Sequence, residues 1–407
     1  MESTGHATIT FTPVAIALSM PPTLPSPLHP CYARQVRILL LILLPALAFC
    51  LCGFAPPALI DSDHAPVLRV HLATADPAPF LSAVAAVNAP SVLVYDLAAN
   101  RTLYARAADM PRAPASLAKL MTALLALEQG ALDQSVTVQG MDLIGDASMG
   151  LQAGEEISLE DLLWGLLLPS GNDAAMTIAR TLGGDPESFV ARMNERAAAL
   201  NLTETHFASP HGLDRDGQTS SARDLLRIAL LNWQQPLFRT IVATAEADVA
   251  GHPLSNTNEL LGPLAGDPEV EVIGVKTGTT DRAGQCLIAA FSDHERVTFV
   301  VVMGSNDRFT DVQAIYHAAR QRYVWFEPSA ADFNALNRVP TGDGATVYLA
   351  GAGAPSLLLE QWQIPLVQPV RILEKGDPAT WAHGDAVGRI EWRLGASLLA
   401  TEQLMVR

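Results

Sequence analysis

The sequence predicts an α+β fold with an antiparallel sheet and a helical subdomain, followed by a small C-terminal β domain. Three observations carry this. Two short apolar runs open the ordered part as a hairpin, Ser91–Asp96 and Arg101–Arg106, joined by Ala98-Ala99-Asn100. A long middle stretch then has helical periodicity, from Leu117 to Leu231. Strand-like runs return at Glu271–Gly278, Cys286–Phe291 and Val297–Met303, before a helix over Asp311–Phe326.

Each element has a local reason. Pro114 ends the preceding segment, and Leu117, Leu120, Met121, Leu124 and Leu125 recur at helical spacing. Ser158 caps a second helix with Asp161 at the capping-box distance; it runs to Leu168 and stops at Pro169-Ser170-Gly171-Asn172. A third helix follows at once from Asp173, so Ser170 and Asn172 stand on a tight turn between helices. Phe189–Leu200 and Ala222–Leu231 are further helices, and Met141–Glu155 is loop-like. After Pro328 the pieces Thr346–Leu349, Val370–Leu373 and Arg389–Leu394 read as strands of a separate domain, residues 329–407.

The N-terminal end has a different character. Residues 1–33 are rich in Thr and Pro, without Lys or Arg, as in a disordered extension or an over-called start. Within 34–58, Arg34 and Arg37 precede seventeen uncharged residues, Ile38–Phe54, which reads as a signal peptide or an N-terminal membrane anchor. Residues 59–88, rich in Ala, Pro and Asp, are expected to be a linker to a catalytic domain over 89–327.

With 26 Lys plus Arg against 42 Asp plus Glu, the formal net charge is -16, which excludes a nucleic-acid partner. Of four cysteines, Cys31, Cys50 and Cys52 lie in the leader, so Cys286 alone cannot build a disulfide framework. No His/Cys spacing suits a metal, and no cofactor is expected.

Chemistry concentrates on lysine. Only Lys119, Lys276 and Lys375 occur. Ser116 and Lys119 share a helix face one turn apart, among apolar residues. Burial lowers a lysine pKa, and a neutral amine can take a serine proton where arginine cannot. Ser170-Gly171-Asn172 adds a second hydroxyl and an amide, and Lys276-Thr277-Gly278 adds a positive charge and a hydroxyl on a strand. Each motif alone is weak; three in this order, on these elements, are specific.

These boxes, within Pro114–Ala123, Pro169–Ala174 and Val275–Thr280, resemble the penicillin-recognising serine transferases. Pro210–Asp214 and Ser220–Leu225 narrow the resemblance to low-molecular-mass D-alanyl-D-alanine carboxypeptidases of the S11 peptidase type, over about 89–327. The resemblance implies a β-lactamase-like fold and removal of the terminal D-Ala from peptidoglycan stem peptides outside the cytoplasmic membrane, with β-lactams as inhibitors. It implies Ser116 as nucleophile, Lys119 as base, Ser170 as proton relay and Asn172 as the residue ordering the pocket. Lys276 and Thr277 would bind the substrate carboxylate, and the backbone N–H groups of Ser116 and Thr279 would form the oxyanion hole. Arg308 is a second carboxylate candidate, or a salt-bridge residue.

Alternatives within the same boxes are a D,D-endopeptidase, a β-lactamase and a non-catalytic wall-binding protein. The β-lactamase is disfavoured because no Glu-x-x-Leu-Asn occurs near His206. A Ser-His-Asp arrangement through His211 with Asp214 or Asp224 lacks a Gly-x-Ser-x-Gly elbow. Many relatives end in an amphipathic membrane helix. Here Leu404-Met405-Val406-Arg407 follows a β-like stretch, so membrane attachment is expected from Ile38–Phe54.

Overall fold

The computed structural model describes residues 78–129, 131–294, 296–329, 337–374 and 376–407, all within one compact unit spanning 64–407. The N-terminal extension, the Ile38–Phe54 segment and Lys375 lie outside the described residues.

The first helix, α1 (Ala78–Ala86), departs from expectation, because it falls inside the stretch predicted to be a linker. Its Val84, with Val87 just beyond, is buried against the sheet. Arg106 reaches from the hairpin to the carbonyls of Val84, Val87 and Ala89 at 2.9, 3.0 and 2.6 Å, satisfying helix-end acceptors. An Ala- and Pro-rich composition looks like a linker when the partner surface, some 200 residues later, is out of view.

Six strands form an antiparallel sheet in the order β2-β1-β10-β9-β8-β7. They are β1 (Ser91–Asp96), β2 (Arg101–Arg106), β7 (Gly262–Leu264), β8 (Asp267–Thr280), β9 (Gly284–Asp293) and β10 (Arg296–Ser305). The central strand β9 is buried on both faces, and its alternation divides the core. Cys286, Ile288 and Ala290 face a layer of helices, together with Phe299 and Val301. Leu287, Ala289 and Phe291 face α1 and the last helix, α8 (Arg308–Arg322), where Phe291 stacks on Tyr316 at 4.0 Å between ring centroids.

The helical layer lies between the hairpin and β7 in the chain. It comprises α2 (Lys119–Gln129), α3 (Leu159–Leu167), α4 (Asn172–Gly183), α5 (Pro186–Ala199), α6 (Ala222–Trp233) and α7 (Pro236–Ala243). Two small hairpins flank it: β3 (Ser135–Thr137) with β4 (Glu156–Ser158), and β5 (Glu246–Val249) with β6 (His252–Ser255). Ser158 caps α3 by accepting from the Asp161 N–H at 3.0 Å; the Asp161 carboxylate accepts from the Ser158 hydroxyl at 2.6 Å.

The expected helix over Asp311–Phe326 is shorter. Helix α8 ends at Arg322, and Tyr323-Val324-Trp325-Phe326 forms a strand, β11. Aromatic and β-branched residues favour that state once a partner strand exists, and β14 (Leu357–Glu360) supplies it. Phe326 packs into the C-terminal core around Trp392. The helix thus gives way to strand at Tyr323, ahead of Pro328. The C-terminal sheet runs β12-β13-β17-β16-β15, formed by Arg338–Pro340, Thr346–Gly351, Ser397–Val406, Ala386–Leu394 and Val367–Leu373 in that order.

Candidate active site

Ser116 sits in a tight 3-10 turn, Ala115–Ala118, and the α-helix begins only at Lys119. The two were expected on one α-helical turn. A 3-10 turn has three residues per turn and eclipses positions three apart, so it aligns the pair more closely. Lys119 Nζ lies 3.0 Å from Ser116 Oγ.

Lys119 is fully buried. Its amine donates to Asn172 Oδ1 and to the His211 carbonyl, each at 2.7 Å. Both oxygens can only accept, so they take two of the amine's hydrogens and leave the third direction for Ser116. In a neutral amine that direction is a lone pair. Burial holds the Lys119 pKa well below that of a free lysine, and the nearby positive charge of Lys276 pushes the same way, against Asp173 and Asp146.

Ser170 and Asn172 come from the turn between α3 and α4. Ser170 has φ +64, a left-handed conformation rare outside glycine, and its buried hydroxyl has no partner among the described residues. A Cβ at Gly171 would lie 2.7 Å from Asp173 Oδ1 and 2.9 Å from the Gly165 carbonyl, so only glycine fits there. Asp173, also buried, fastens the preceding loop. It accepts from the Ser148 hydroxyl at 2.5 Å and from the N–H groups of Met149, Gly150 and Leu151 at 3.0, 3.2 and 3.2 Å. Asn172 donates from Nδ2 to the Gly145 carbonyl at 2.9 Å.

The third wall is β8. A Cβ at Gly278 would come within 2.9 Å of the Ser116 nitrogen and 3.1 Å of Ala115 Cβ, so the strand passes directly against the serine turn. Gly212 plays the same part from another side: its Cβ would lie 2.0 Å from the Ala115 carbonyl, at φ +91. Lys276 and Thr277 precede Gly278, both buried. Burial lowers the Lys276 pKa to about 7, with a further push from the Arg308 charge. The Thr277 and Thr257 hydroxyls are 2.5 Å apart. Arg308 donates to Thr279 Oγ1 at 2.7 Å and to the Gly278 carbonyl at 3.2 Å, and makes no ion pair among the described residues.

Hydrogen bonds join Lys119 to Ser116 and Asn172; Ser170 shares the turn of Asn172, and Lys276, Thr277 and Thr279 lie on β8, which meets the serine turn at Gly278. The Ser-His-Asp alternative has no support in this geometry. His211 accepts from the Leu213 N–H at its Nδ1, and burial next to Lys119 drives its pKa down to about 3. Asp214 is engaged by Thr280 and Arg282, and Asp224 by Thr205 and Glu204. His211 contributes its carbonyl instead, which no side-chain motif could reveal. Asp173, Gly212 and Thr257 were also missed, since their roles depend on contacts distant in sequence. Cys286 lies in the core, its thiol pushed up to about 11 by burial, as expected of a packing residue.

A six-stranded sheet with helices on both faces and these walls is the architecture of the penicillin-recognising serine transferases. Solved structures agree: penicillin binding protein 6B from Escherichia coli matches with TM-score 0.59 and 27% identity, over 78% of this chain and 95% of that one. Penicillin binding protein 5 from Haemophilus influenzae matches with TM-score 0.58 and 25% identity, over 79% and 96%. The profile of the peptidase S11 family, described as D-alanyl-D-alanine carboxypeptidase, matches residues 77–307, and the chain belongs to that family. It is 31% identical over 354 residues to D-alanyl-D-alanine carboxypeptidase DacD of Salmonella typhimurium, covering 80% of this chain and 88% of that protein. It is 32% identical to DacC of Escherichia coli, covering 79% and 85%.

Proposed function

We propose that the protein is a serine-type D-alanyl-D-alanine carboxypeptidase that trims peptidoglycan stem pentapeptides through an acyl-enzyme on Ser116. The observation that carries this is the buried Lys119 amine, with two acceptors taken and its third direction on Ser116 Oγ. Ser116 Oγ attacks the carbonyl carbon of the penultimate D-Ala as its proton passes to Lys119. The backbone N–H groups of Ser116 and Thr279 stabilise the oxyanion. Ser170 relays the proton to the departing D-Ala nitrogen, the C–N bond breaks, and the acyl group stays on Ser116. Water then attacks the ester, Lys119 takes its proton, and Ser116 is restored. Lys276 and Thr277 hold the substrate's terminal carboxylate, whose charge compensates the buried ammonium. Asn172 orders the pocket by fixing Lys119.

The enzyme is placed on the outer side of the cytoplasmic membrane, in the periplasm or cell-wall space. Support comes from Arg34 and Arg37 ahead of the uncharged Ile38–Phe54 run and from the substrate's own location. No helix among the described residues is long and apolar enough to cross a membrane, and that run lies outside them.

Incubation with a fluorescent penicillin, followed by peptide mass spectrometry, tests the proposal. One covalent adduct on Ser116 is expected, absent in Ser116→Ala. An unlabelled wild-type protein, or an adduct that survives the substitution, would overturn it.

A further inference from the structure

Three oxygens surround the Lys119 amine, and two of them are held by neighbours already described. Asn172 is fixed through Gly145 and Ala147, whose carbonyls accept from its Nδ2 at 2.9 Å and its backbone N–H at 2.7 Å. Ser116 is fixed by its own tight turn, against which Gly278 and Gly212 pack. The third oxygen, the His211 carbonyl, belongs to a bent stretch of loop over 208–211. What aims it at the base comes from the helix that carries the base.

Thr122 lies three residues after Lys119 on α2, so the two side chains share a face. It is fully buried, and its hydroxyl donates to the Pro210 carbonyl at 2.6 Å. A threonine inside a helix commonly bonds a carbonyl of its own helix one turn back. Thr181 in α4 and Thr240 in α7 do so, meeting the Thr177 and Pro236 carbonyls at 2.7 and 3.2 Å. Thr122 reaches out to the loop instead. Two successive carbonyls, those of Pro210 and His211, thus meet two side chains of one helix face, Thr122 and Lys119. The loop's other side-chain bonds run within it or to Gln218. Gly212 donates to Ser209 Oγ and Leu213 to His211 Nδ1, both at 3.1 Å, while Gln218 Oε1 accepts from the Ala208 N–H and the Ser209 hydroxyl. None of these reaches α2.

The acceptor matters most once Lys119 is charged. On taking the Ser116 proton, the amine becomes a buried ammonium with three N–H donors to satisfy. Asn172 Oδ1 and the His211 carbonyl satisfy two, and a buried ionic donor without its acceptor is costly. The carbonyl must therefore be in place before the proton arrives. We propose that Thr122 is a positioning residue for the base, holding the Pro210 carbonyl so that the His211 carbonyl stays aimed at Lys119 during acylation. This rests on the reading of Lys119 as base and adds the residue that fixes its acceptor.

The test is the rate constant for labelling Ser116 with a fluorescent penicillin, followed across pH in the wild type, Thr122→Val and Thr122→Ser. Valine keeps the shape without the donor, and serine keeps the donor. Thr122→Val should label about tenfold more slowly at its plateau, because the charged amine loses a fixed acceptor. Its acid limb should also move to lower pH. A carbonyl at the amine favours the ammonium, so loosening it lowers the lysine pKa further. The other charges facing Lys119 are Lys276 on β8, Asp173 on α4 and Asp146 ahead of it, and the substitution alters none of them. The His211 imidazole, with its pKa of about 3, stays neutral throughout. Thr122→Ser should restore both the rate and the limb. Only reactive molecules contribute to the rate constant, so a misfolded fraction lowers the amplitude alone. Thr122→Ala replaces the valine variant if that one does not fold. An unchanged rate and limb in Thr122→Val would overturn the inference. So would a slower rate with an unmoved limb, a loss that serine does not restore, or failure of both the valine and alanine variants to fold, each of which would leave the threonine a role in stability alone. If wild-type Ser116 takes no label, the carboxypeptidase reading falls first; if it is labelled and the Thr122 pattern fails, this inference alone falls.

Discussion

At the scale of single residues, two buried lysines face opposite requirements in one pocket. In the proposed mechanism Lys119 must be neutral to take a proton, whereas Lys276 must be charged to hold a carboxylate. Both pKa values are lowered by burial, that of Lys276 to about 7. The signs follow directly. As pH rises through the depressed Lys119 pKa the base becomes competent, and as it rises through about 7 the free enzyme loses the Lys276 charge. The kcat/KM for a D-Ala-D-Ala peptide should therefore fall on the alkaline side of about pH 7, through weaker binding. In Lys276→Arg, where the charge cannot be lost, that alkaline limb should disappear even if the rate itself drops; a pH–rate profile checks both. Lys119→Arg should abolish penicillin acylation, at least a hundredfold by the size of general-base effects, measured as labelling rate. Lys119 and Lys276 stood out in the sequence because lysine is scarce and both sat inside a motif. The His211 carbonyl did not, because a backbone acceptor can belong to any residue type.

Local elements decide whether those residues meet. Strand β8 and the serine turn touch through Gly278, where no side chain fits. Gly278→Ala should slow penicillin acylation tenfold or more while lowering the melting temperature by only a few degrees, because the strained contact is local. Labelling kinetics beside a thermal melt would show the split. Asp173→Ala should be costly in a different way. It leaves the buried N–H groups of Met149 and Leu151 without their acceptor, so a loss of about 3 kcal/mol is expected in urea denaturation, at 1–3 kcal/mol for each unsatisfied buried group. Most elements around the site were readable from periodicity and caps, as with Ser158 ahead of α3. Two were misread for one shared reason. The Ala-rich α1 and the aromatic β11 both take their state from a partner distant in the chain, α8 with the sheet in one case and β14 in the other. Short windows of sequence do not contain that partner.

At the scale of the whole molecule, the C-terminal sheet has its own core around Trp392, Ile390 and Leu404. Strand β11 pairs with β14 in a separate two-stranded sheet whose Phe326 and Leu359 pack on this core, and this dictates where the chain can be cut. A protein ending at Arg322 should fold and still be labelled by penicillin. One ending at Pro328 would expose Tyr323–Phe326 as an unpaired aromatic strand and should aggregate. Gel filtration with penicillin labelling would compare the two, and equal behaviour would place the boundary elsewhere. The general plan, strands around a helical middle with a β domain after it, was visible in the order of patterns; the strand Tyr323–Phe326 was not, because its partner β14 lies some 30 residues later. The pairing of β1 with β10, in which Ser91 lies opposite Met303, has a further consequence. The hairpin is among the first parts of the described chain to be synthesised, yet its partner strand is made only after the whole helical layer. Ser116 therefore cannot gain its finished surroundings while the chain is still short. Such long-range closure makes folding slow, so the hairpin waits without its neighbour on the β10 side until the helical layer and three further strands have been made.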